Sequence, residues 1–329
     1  MIGIDAALRK ALVANQRPVV TEYALFLILR QLISDKVVDG VPIRQVKSSS
    51  VANRDTLRSR IRSLLKGRYA RPDEDFYPGV NDGEPRDPSS GGQHYKVLRI
   101  ADVPDASAEE ISALVDPFCY LSHLSAMQRY GLTNRSPAGL VISTPEVKLW
   151  REQRDAKIAK DYAHVQIDER FELGAPTRMP LEKIDLPETL RGRALDRHTT
   201  KHRTELRPIR GSFARIPAIG EVFVQMIDRP ELCGGINHVL EVWAGEAKTY
   251  LDEIIKAVDG HDQSIIKVRA GYLLETLAEA RDPRIDAWQK FAQRGGSRKL
   301  DSGAPYLAIF SEKWMLSLNV ESEFLPTAG

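Results

Sequence analysis

The sequence predicts an α+β protein, and three observations support this fold class. The chain has 329 residues, which at roughly 100 to 200 residues per domain suggests two or three domains. The composition, 42% hydrophobic and 28% charged, is typical of a folded globular protein. Segments with helical spacing alternate with short extended runs along the chain. We therefore expect an N-terminal domain at residues 1–100 and a larger mixed α/β domain at residues 101–329.

Hydropathy and cysteine usage exclude several classes of protein. The longest apolar run, Ala24–Leu29, is far shorter than the roughly 20 residues of a membrane helix. The first residues lack the basic and apolar regions of a signal peptide. Cys119 and Cys233 are far apart and belong to no Cys-x-x-Cys or Cys/His cluster, so we expect neither a disulfide framework nor a metal site. We predict a cytoplasmic protein with no membrane contact and no cofactor.

Charge is unevenly distributed, although the net charge is only +2. Residues 1–100 hold seventeen basic and eleven acidic residues, whereas residues 211–329 hold thirteen and seventeen. The excess is concentrated at residues 44–71, which hold nine basic residues and one acid. A second basic stretch at residues 191–210 is consistent with either a solvated linker or a ligand-binding segment. We expect the first of these segments to attract a polyphosphate.

Three helices are predicted in the N-terminal domain. Apolar spacing indicates helices at residues 4–14 and 21–34. Asn53 is a good N-cap for a third helix, Thr56–Lys66, which Gly67 can end. A helical turn of about 100° per residue places the apolar residues of this third helix on one face and polar residues on the other. The apolar face consists of Leu57, Ile61, Leu64 and Leu65.

The segment after the third helix is predicted to form a β-hairpin. Extended runs near Tyr69–Tyr77 and at His94–Ile100 enclose a series of turn formers, Pro78–Gly92. Helices, a basic helix, a strand, a long turn and a strand form the order of a winged helix-turn-helix. In such a domain the hairpin is the wing.

The third helix has the features of a DNA recognition helix. One apolar face can anchor it in the domain, while Ser and Arg on the other face can contact bases and phosphates in a major groove. Lys and Arg beside it supply salt-dependent attraction to phosphates. A surface helix with merely hydrated arginines remains the alternative. The predicted DNA-binding residues are Arg54, Arg58, Ser59, Arg60, Arg62, Ser63, Lys66 and Arg68.

Mixed helices and strands are predicted after residue 101, and a subdivision near residues 191–210 is left open. A helix opens at Ser107, and a strand, a helix from Ser122 to Gly131 and a second strand follow. The remaining predictions are extended runs within residues 161–173 and 206–227, helices over 239–258, 265–280 and 283–291, and a strand over 314–320.

The residues argue against an enzyme. Ser122, His123 and Ser125 could suggest a nucleophile, but no G-x-S-x-G motif or matched acid accompanies them. Gly211-Ser212 followed by Glu221 is faintly similar to a nucleotidyltransferase, yet two-metal chemistry needs paired carboxylates and one is present. We therefore predict no catalytic residues and no bound metal.

Several short segments resemble one family of bacterial antitoxins. The first two are Cys119–Thr133 and Ile227–Gly235, the second being the more specific. They resemble the AbiEi-type antitoxins of abortive-infection (AbiE) type IV toxin-antitoxin systems. The resemblance continues through Ile236–Leu240, Tyr250–Glu253, Lys267–Glu275 and Trp314–Val320.

The resemblance implies a function. Such antitoxins carry an N-terminal winged helix-turn-helix that binds inverted repeats in their own operon promoter and represses it. Their C-terminal domain counteracts a cognate nucleotidyltransferase-like toxin. By position, the family signature of this antitoxin domain falls on Arg229, Pro230, Gly234, Gly235, Arg269 and Tyr272. The partners implied are double-stranded DNA and the toxin.

Two further interpretations remain open. A DNA-binding regulator without a toxin partner fits the same N-terminal features. The signature residues also have ordinary structural interpretations, because two glycines permit a turn, Arg229 can pair with an acid and Tyr272 can belong to the core.

Overall fold

The computed structural model describes residues 1–44, 52–80, 95–163, 178–293, 295 and 298–325. Over these residues the fold is mixed α/β, with 11 α-helices and several small sheets. The helices are α1 Ile4–Ala14, α2 Glu22–Asp35, α3 Arg54–Lys66, α4 Ala108–Val115, α5 His123–Tyr130, α6 Val147–Asp161, α7 Ile219–Asp228, α8 Ile236–Glu246, α9 Leu251–Gly260, α10 Ser264–Thr276 and α11 Pro283–Asp286. Two short 3-10 helices lie at Pro230–Cys233 and Ala287–Phe291.

The strands are short. They are β1 Val19–Thr21, β2 Val37–Val38, β3 Val41–Pro42, β4 Ala70–Pro72, β5 Val97–Ile100, β6 Tyr120–Leu121, β7 Leu140–Pro145, β8 Thr189–Leu190, β9 Arg193–Thr200, β10 Leu206–Pro208, β11 Arg215–Pro217, β12 Phe310–Ser311 and β13 Leu316–Ser317. None of the described helices is long and apolar enough to cross a lipid bilayer.

The chain forms two compact units, each built from two separate segments. The amino-terminal unit comprises residues 1–118 and 150–193, and the carboxy-terminal unit comprises residues 119–149 and 194–329. Residues 101–118 and 150–193 therefore pack with the N-terminal segment that contains α1 to α3. The chain passes back into the carboxy-terminal unit at residues 193–194, inside the second basic stretch.

The amino-terminal unit combines helices with a three-stranded antiparallel sheet. Strand β5 lies in the middle, between β1 and β4. The apolar sides of α1, α2 and α3 form one core, in which Leu8, Phe26, Leu57 and Leu64 are almost fully buried. Because β4 follows α3 directly and pairs with β5, α3 is held next to this antiparallel pair of strands. Residues 81–94, between the two strands in sequence, lie outside the described residues.

Residues after 150 join this unit through polar and aromatic contacts. The Tyr23 hydroxyl donates to the Asp161 carboxylate at 2.8 Å, and Arg30 donates to the Asp161 backbone carbonyl at 2.7 Å. The indole of Trp150 donates to the Asp116 carboxylate at 3.3 Å and packs edge-on against Phe118. These contacts fix α6 against α2 and the end of α4, although the segments are far apart in sequence.

The carboxy-terminal unit has a second core and its own small sheet. Strand β7 pairs antiparallel with β6 and parallel with β9. The core contains Phe223, Trp243 and Trp314. Gly220 allows α7 to approach α9 closely, because a side chain there would collide with the backbone carbonyl of Glu253.

Most element predictions are confirmed. Helices α1, α2, α4 and α5 lie where the sequence indicates them, and Gly131 ends α5 with a φ of +73°. The short extended runs predicted within residues 206–227 are present as β10 and β11, but most of the rest of this range belongs to α7, Ile219–Asp228, which was not predicted. Val222 and Phe223 are residue types that favour strands. They and Met226 are buried in one common core, and this packing stabilises the helix.

Other predictions differ in detail or lie outside the described residues. The helix predicted over 239–258 is divided into α8 and α9. The strand predicted over 314–320 is reduced to Leu316–Ser317. Of the extended run predicted within 161–173, residues 164–173 lie outside the described residues, and α6 continues to Asp161. Ser122 occupies the predicted N-cap position of α5, but its side chain makes no capping hydrogen bond.

Candidate nucleic-acid interface

Helix α3 begins after Asn53, the N-cap that its sequence predicts, and in the structure the cap is reciprocal. The Asn53 side chain accepts a hydrogen bond from the Thr56 amide, and the Thr56 hydroxyl accepts one from the Asn53 amide, each at 2.9 Å. These bonds satisfy two backbone donors that the first turn would otherwise leave without partners. The cap therefore fixes the residue at which the helix begins, and with it the side of the helix on which each side chain lies.

The two faces of α3 separate as the sequence predicts. All four apolar residues, Leu57, Ile61, Leu64 and Leu65, are buried. Five of the predicted DNA-binding residues have exposed side chains, namely Arg54, Arg58, Arg62, Lys66 and Arg68. Arg58 approaches Asp55 at 3.7 Å, but both side chains are more than half exposed, so this pair is weak. The outer face of α3 is thus strongly cationic.

The other three predicted residues have contacts within the amino-terminal unit. Arg60 forms an ion pair with Asp5 at 2.7 Å, and the Ser63 hydroxyl donates to the same carboxylate at 2.9 Å. Arg60 also donates to the Ser59 hydroxyl at 3.0 Å. Arg60 and Ser63 therefore join α3 to α1. A contact of either side chain with DNA would have to replace these contacts with Asp5.

Sequence reasoning did not find Asp5 as a partner of α3. Asp5 is 55 positions away from Arg60, and no local pattern links the two. One signal was available, because Asp5 is the only acid before Glu22 in the sequence. An isolated acid in a basic region often identifies a structural ion pair.

Glu22, the first residue of α2, is a partly buried acid in the same unit. Burial raises the pKa of Glu22 to about 7, and the charge of Glu182 acts in the same direction. Arg58 and Arg54 oppose this shift.

The rest of the first basic segment is less uniform. Arg71 pairs with Glu74 at 2.9 Å, and Arg44 is exposed. Lys47 lies outside the described residues, as does most of the predicted wing. The described cationic surface is therefore formed mainly by α3 and Arg68, which follows it.

Much of the second basic stretch forms strands. Its residues 193–200 form β9 and its residues 206–208 form β10. Arg191 is mostly buried and contacts three carboxylates, those of Asp73 at 2.6 Å, Asp105 at 2.9 Å and Asp75. Burial by itself would lower the pKa of Arg191, but hydrogen bonds and charge from Asp73 and Asp75 raise it above the ordinary value.

The first signature residues lie around the end of α7. Arg229 ends α7 and pairs with Glu231 at 2.5 Å, and Pro230 begins the following 3-10 helix. Gly234 and Gly235 have φ angles of +88° and +91°, a conformation that suits glycine. The turn and the ion pair inferred from the residues themselves are confirmed.

The other signature residues belong to the core of the carboxy-terminal unit. Arg269 is buried and donates to the backbone carbonyls of Ile227 and Lys299, each at 2.8 Å. Tyr272 is 5% exposed. All six positions therefore support the path of the chain around α7, α8 and α10, and none of the contacts described here identifies a toxin surface.

Within the described ranges, no group of three or more His, Cys, Asp or Glu side chains is arranged to hold a metal ion. Glu221 lies on α7, where burial raises its pKa.

Comparisons with known proteins show little similarity. No protein-family model matches the chain, and no curated protein matches it. Among solved structures, the chain is similar to the crystal structure of the RV2827C protein from Mycobacterium tuberculosis, with 12% sequence identity and a TM-score of 0.42. That alignment covers 97% of this chain and 91% of the other chain. We transfer no function from it.

Proposed function

We propose that this protein is a DNA-binding transcriptional autorepressor that also serves as the antitoxin of a cognate nucleotidyltransferase-like toxin. In this proposal the amino-terminal unit carries a winged helix-turn-helix, in which α3 is the recognition helix and the hairpin of β4 and β5 is the wing. The protein would act in the cytoplasm by occupying inverted repeats in its own promoter and excluding the transcription machinery.

One observation carries the DNA-binding part of the proposal: α3 buries one apolar face and exposes a row of cations on the other. Arg58 and Arg62 are one helical turn apart, and Lys66 continues the same spacing. Side chains so placed project in one direction and can follow a phosphate backbone.

The element order gives further support. The elements follow the order α1, β1, α2, β2, β3, α3, β4 and β5, with β5 between β1 and β4. Apart from the short β2–β3 pair between α2 and α3, this is the order expected for a winged helix-turn-helix. Helix α3 is held by Leu57 and Leu64 in the core and by Asp5 at its side. A recognition helix fixed in this way loses little conformational freedom when it enters a groove.

The antitoxin part rests on the resemblance of residues 119–133 and 227–235 to AbiEi-type antitoxins. These segments meet in the carboxy-terminal unit, where Arg135 donates to the Gly234 carbonyl at 3.0 Å and the His238 ring contacts Thr133 at 2.9 Å. Both contacts join the neighbourhoods of the two segments. This part of the proposal needs a genetic test.

The DNA test is an electrophoretic mobility shift with the DNA upstream of the protein's own gene, measured across a salt series. Arg58→Ala and Arg62→Ala should each weaken binding and reduce the slope of log K against log salt by about 1. Arg281→Ala is the matched control, because Arg281 is an exposed arginine in the carboxy-terminal unit. Equal effects of all three variants, or a shift that is insensitive to salt, would refute the proposed DNA interface.

A co-expression test addresses the toxin. A nucleotidyltransferase-like gene encoded beside this one should arrest growth when expressed alone, and this protein should restore growth. If no such neighbour exists or growth is not restored while promoter binding is intact, the protein is a regulator without a toxin partner. Nucleotidyl transfer by this protein with magnesium and a nucleotide would instead show that it is an enzyme.

A further inference from the structure

Asp5 lies in the first turn of α1 and uses both oxygens of its carboxylate on α3. Nη1 of Arg60 donates to Oδ1 at 2.7 Å, and the Ser63 hydroxyl donates to Oδ2 at 2.9 Å. Nη2 of Arg60 donates to the Ser59 hydroxyl at 3.0 Å. The one carboxylate therefore engages Arg60 and Ser63 directly and Ser59 through Arg60.

The charged end of Arg60 lies at the edge of the cationic face of α3. Lys66 belongs to the exposed row of cations on this helix, and at about 100° per residue Ser59 projects on nearly the same side. The guanidinium of Arg60 reaches back to the Ser59 hydroxyl. It therefore lies next to the surface that the proposed interface offers to phosphates.

The ion pair between Arg60 and Asp5 lies at the surface of the protein. The Arg60 side chain is 26% exposed and the Asp5 side chain 44%. A pair exposed to this degree contributes modestly to folding stability, because water solvates both charges when they separate. A phosphate oxygen accepts the same charge-assisted hydrogen bonds as a carboxylate oxygen. The DNA backbone can therefore replace Asp5 without leaving Arg60 unpaired.

Asp5 adds to the anchoring of α3 but is not its main source. The reciprocal cap formed by Asn53 and Thr56 fixes the start of the helix. Its apolar face is buried in the core through Leu57, Ile61, Leu64 and Leu65. Loss of the Asp5 contacts should therefore weaken the fold slightly and leave α3 in place.

The charge of Asp5 also opposes DNA. Its carboxylate lies 2.7 Å from the Arg60 guanidinium, so a phosphate that approaches this guanidinium also approaches a like charge. Withholding a cation and repelling a phosphate act in the same direction, and both lower the affinity for DNA.

We propose that Asp5 is an autoinhibitory residue of the DNA interface. In the free protein it holds Arg60 and Ser63, and the phosphate backbone of duplex DNA must displace its carboxylate before either side chain can bind. Because phosphate contacts carry no sequence information, Asp5 lowers the affinity for operator and other duplexes alike. The inference rests on the proposed DNA-binding function and names a residue that limits it.

The test compares the DNA affinity of the unaltered full-length chain with that of Asp5→Asn by fluorescence anisotropy. The probes are the DNA upstream of the protein's own gene and a scrambled duplex of equal length. Asparagine keeps the size of the side chain and removes its charge. At a salt concentration of about 0.15 M, Asp5→Asn should bind both duplexes about fivefold more tightly, which is the effect of releasing one further condensed counterion. The slope of log K against log salt should steepen by about 1.

Two further variants assign this gain. Asp102→Asn is the matched control, because it makes the same change in net charge in the same unit and Asp102 pairs with Arg9 of α1 rather than with α3. It should change the affinity by less than about twofold, since a distant exposed charge is screened. In Asp5→Asn/Arg60→Ala the cation that Asp5 withholds is absent, so most of the gain and of the added salt slope should disappear.

The sign of the effect separates autoinhibition from simple anchoring. If Asp5 only positioned α3, Asp5→Asn would weaken DNA binding. Weaker or unchanged binding by this variant, an equal gain in Asp102→Asn, or a gain that persists without Arg60 would overturn the proposal.

The DNA interface itself is tested separately by Arg58→Ala and Arg62→Ala. If these variants weaken binding while Asp5→Asn does not strengthen it, the autoinhibition alone is wrong. If they bind DNA as the unaltered protein does, the proposed interface is wrong and the autoinhibition with it.

A measurement on the unaltered protein does not depend on whether a variant folds. In NMR spectra of the arginine side chains, the Nε signal of Arg60 should shift when duplex DNA is added, because its partner changes from a carboxylate to a phosphate. An Arg60 signal that stays in place while those of Arg58 and Arg62 shift would overturn the proposed displacement of Asp5.

Discussion

The guanidinium of Arg60 on α3 lies 2.7 Å from the carboxylate of Asp5 on α1, and the Ser63 hydroxyl donates to the same carboxylate. One acid near the N-terminus therefore fixes α3 through both a cation and a hydroxyl. The exposed arginines Arg58 and Arg62 occupy the same helix and point away from the buried face. On this helix Arg60 therefore anchors α3 to α1, whereas Arg58 and Arg62 present their charge to solvent.

We expect Asp5→Asn to lower the free energy of unfolding by about 1 kcal/mol, because it removes an ion pair that is only partly exposed and weakens two hydrogen bonds. Urea denaturation measures this change. Asp102→Asn is the control, since Asp102 pairs with Arg9 at 3.4 Å with both side chains more exposed. Equal losses in the two variants would show that Asp5 does not hold α3.

We expect a larger loss of folding stability when the ion pair between Arg191 and Asp73 is broken. The Asp73 side chain is 1% exposed, and Arg191 lies 2.6 Å from it. Arg191→Met removes the cation and leaves a buried carboxylate without compensation, which should cost about 3–5 kcal/mol. Thermal and urea unfolding measure the loss, with Arg193→Met, an exposed neighbour, as the control.

The double variant Arg191→Met/Asp73→Asn gives a sharper test of this pair. Replacing the carboxylate with an amide removes the uncompensated charge, so the double variant should recover part of the stability lost by Arg191→Met. If Arg191→Met costs no more than Arg193→Met, the three surrounding carboxylates do not require this cation.

Local features of the fold could be predicted from the sequence, and long-range partners could not. The cap of α3 is encoded by Asn53 and Thr56, which are three positions apart, and its buried face by the spacing of its leucines. Arg191 and Asp73 are 118 positions apart, so their pairing depends on how the chain folds back after α6. The charges at residues 191–210 therefore predicted a solvated linker or a ligand-binding segment. In the structure the first arginine of this stretch, Arg191, contacts three carboxylates.

Helix α7 shows a second limit of sequence reasoning. Its residues Val222, Phe223 and Val224 are frequent in strands, and this run of three apolar residues outweighed the helical spacing of Glu221, Gln225 and Asp228. The polar cleft around His123, His198, His202 and His261 was not predicted for a related reason. Its lining comes from β6, α5, β7, β9 and the loop after it, α7 and the residue that ends α9, and only the tertiary fold brings these residues together.

Two glycines in neighbouring helices should respond in opposite directions to alanine. A Cβ at Gly220 would collide with the Glu253 carbonyl, whereas a Cβ at Gly245 on α8 would meet no atom within 4 Å. We expect Gly220→Ala to destabilise the protein by about 1–3 kcal/mol through displacement of α7 from α9. Gly245→Ala should stabilise it by roughly 0.5–1 kcal/mol, because alanine favours the helix.

Thermal unfolding of the two alanine variants tests this contrast within a single unit. Both substitutions add the same methyl group to a helix, so their difference reports the packing of α7 on α9 rather than helix propensity. A stabilising Gly220→Ala would mean that α7 and α9 are farther apart than the structure indicates.

Glu22 should make stability depend on pH. Burial raises the pKa of its carboxyl from 4.5 to about 7, with Glu182 acting in the same direction. Between these values the folded protein holds a proton that the unfolded chain has released, so the free energy of unfolding falls as pH rises through this interval. Glu22→Gln keeps the shape of the side chain without its charge. It should flatten this slope and stabilise the protein by about 1–2 kcal/mol at a pH near 8.

Urea denaturation at a series of pH values measures the slope, and Glu188→Gln, an exposed acid in the same unit, should leave it unchanged. A slope that persists in Glu22→Gln would place the titrating group elsewhere in the protein.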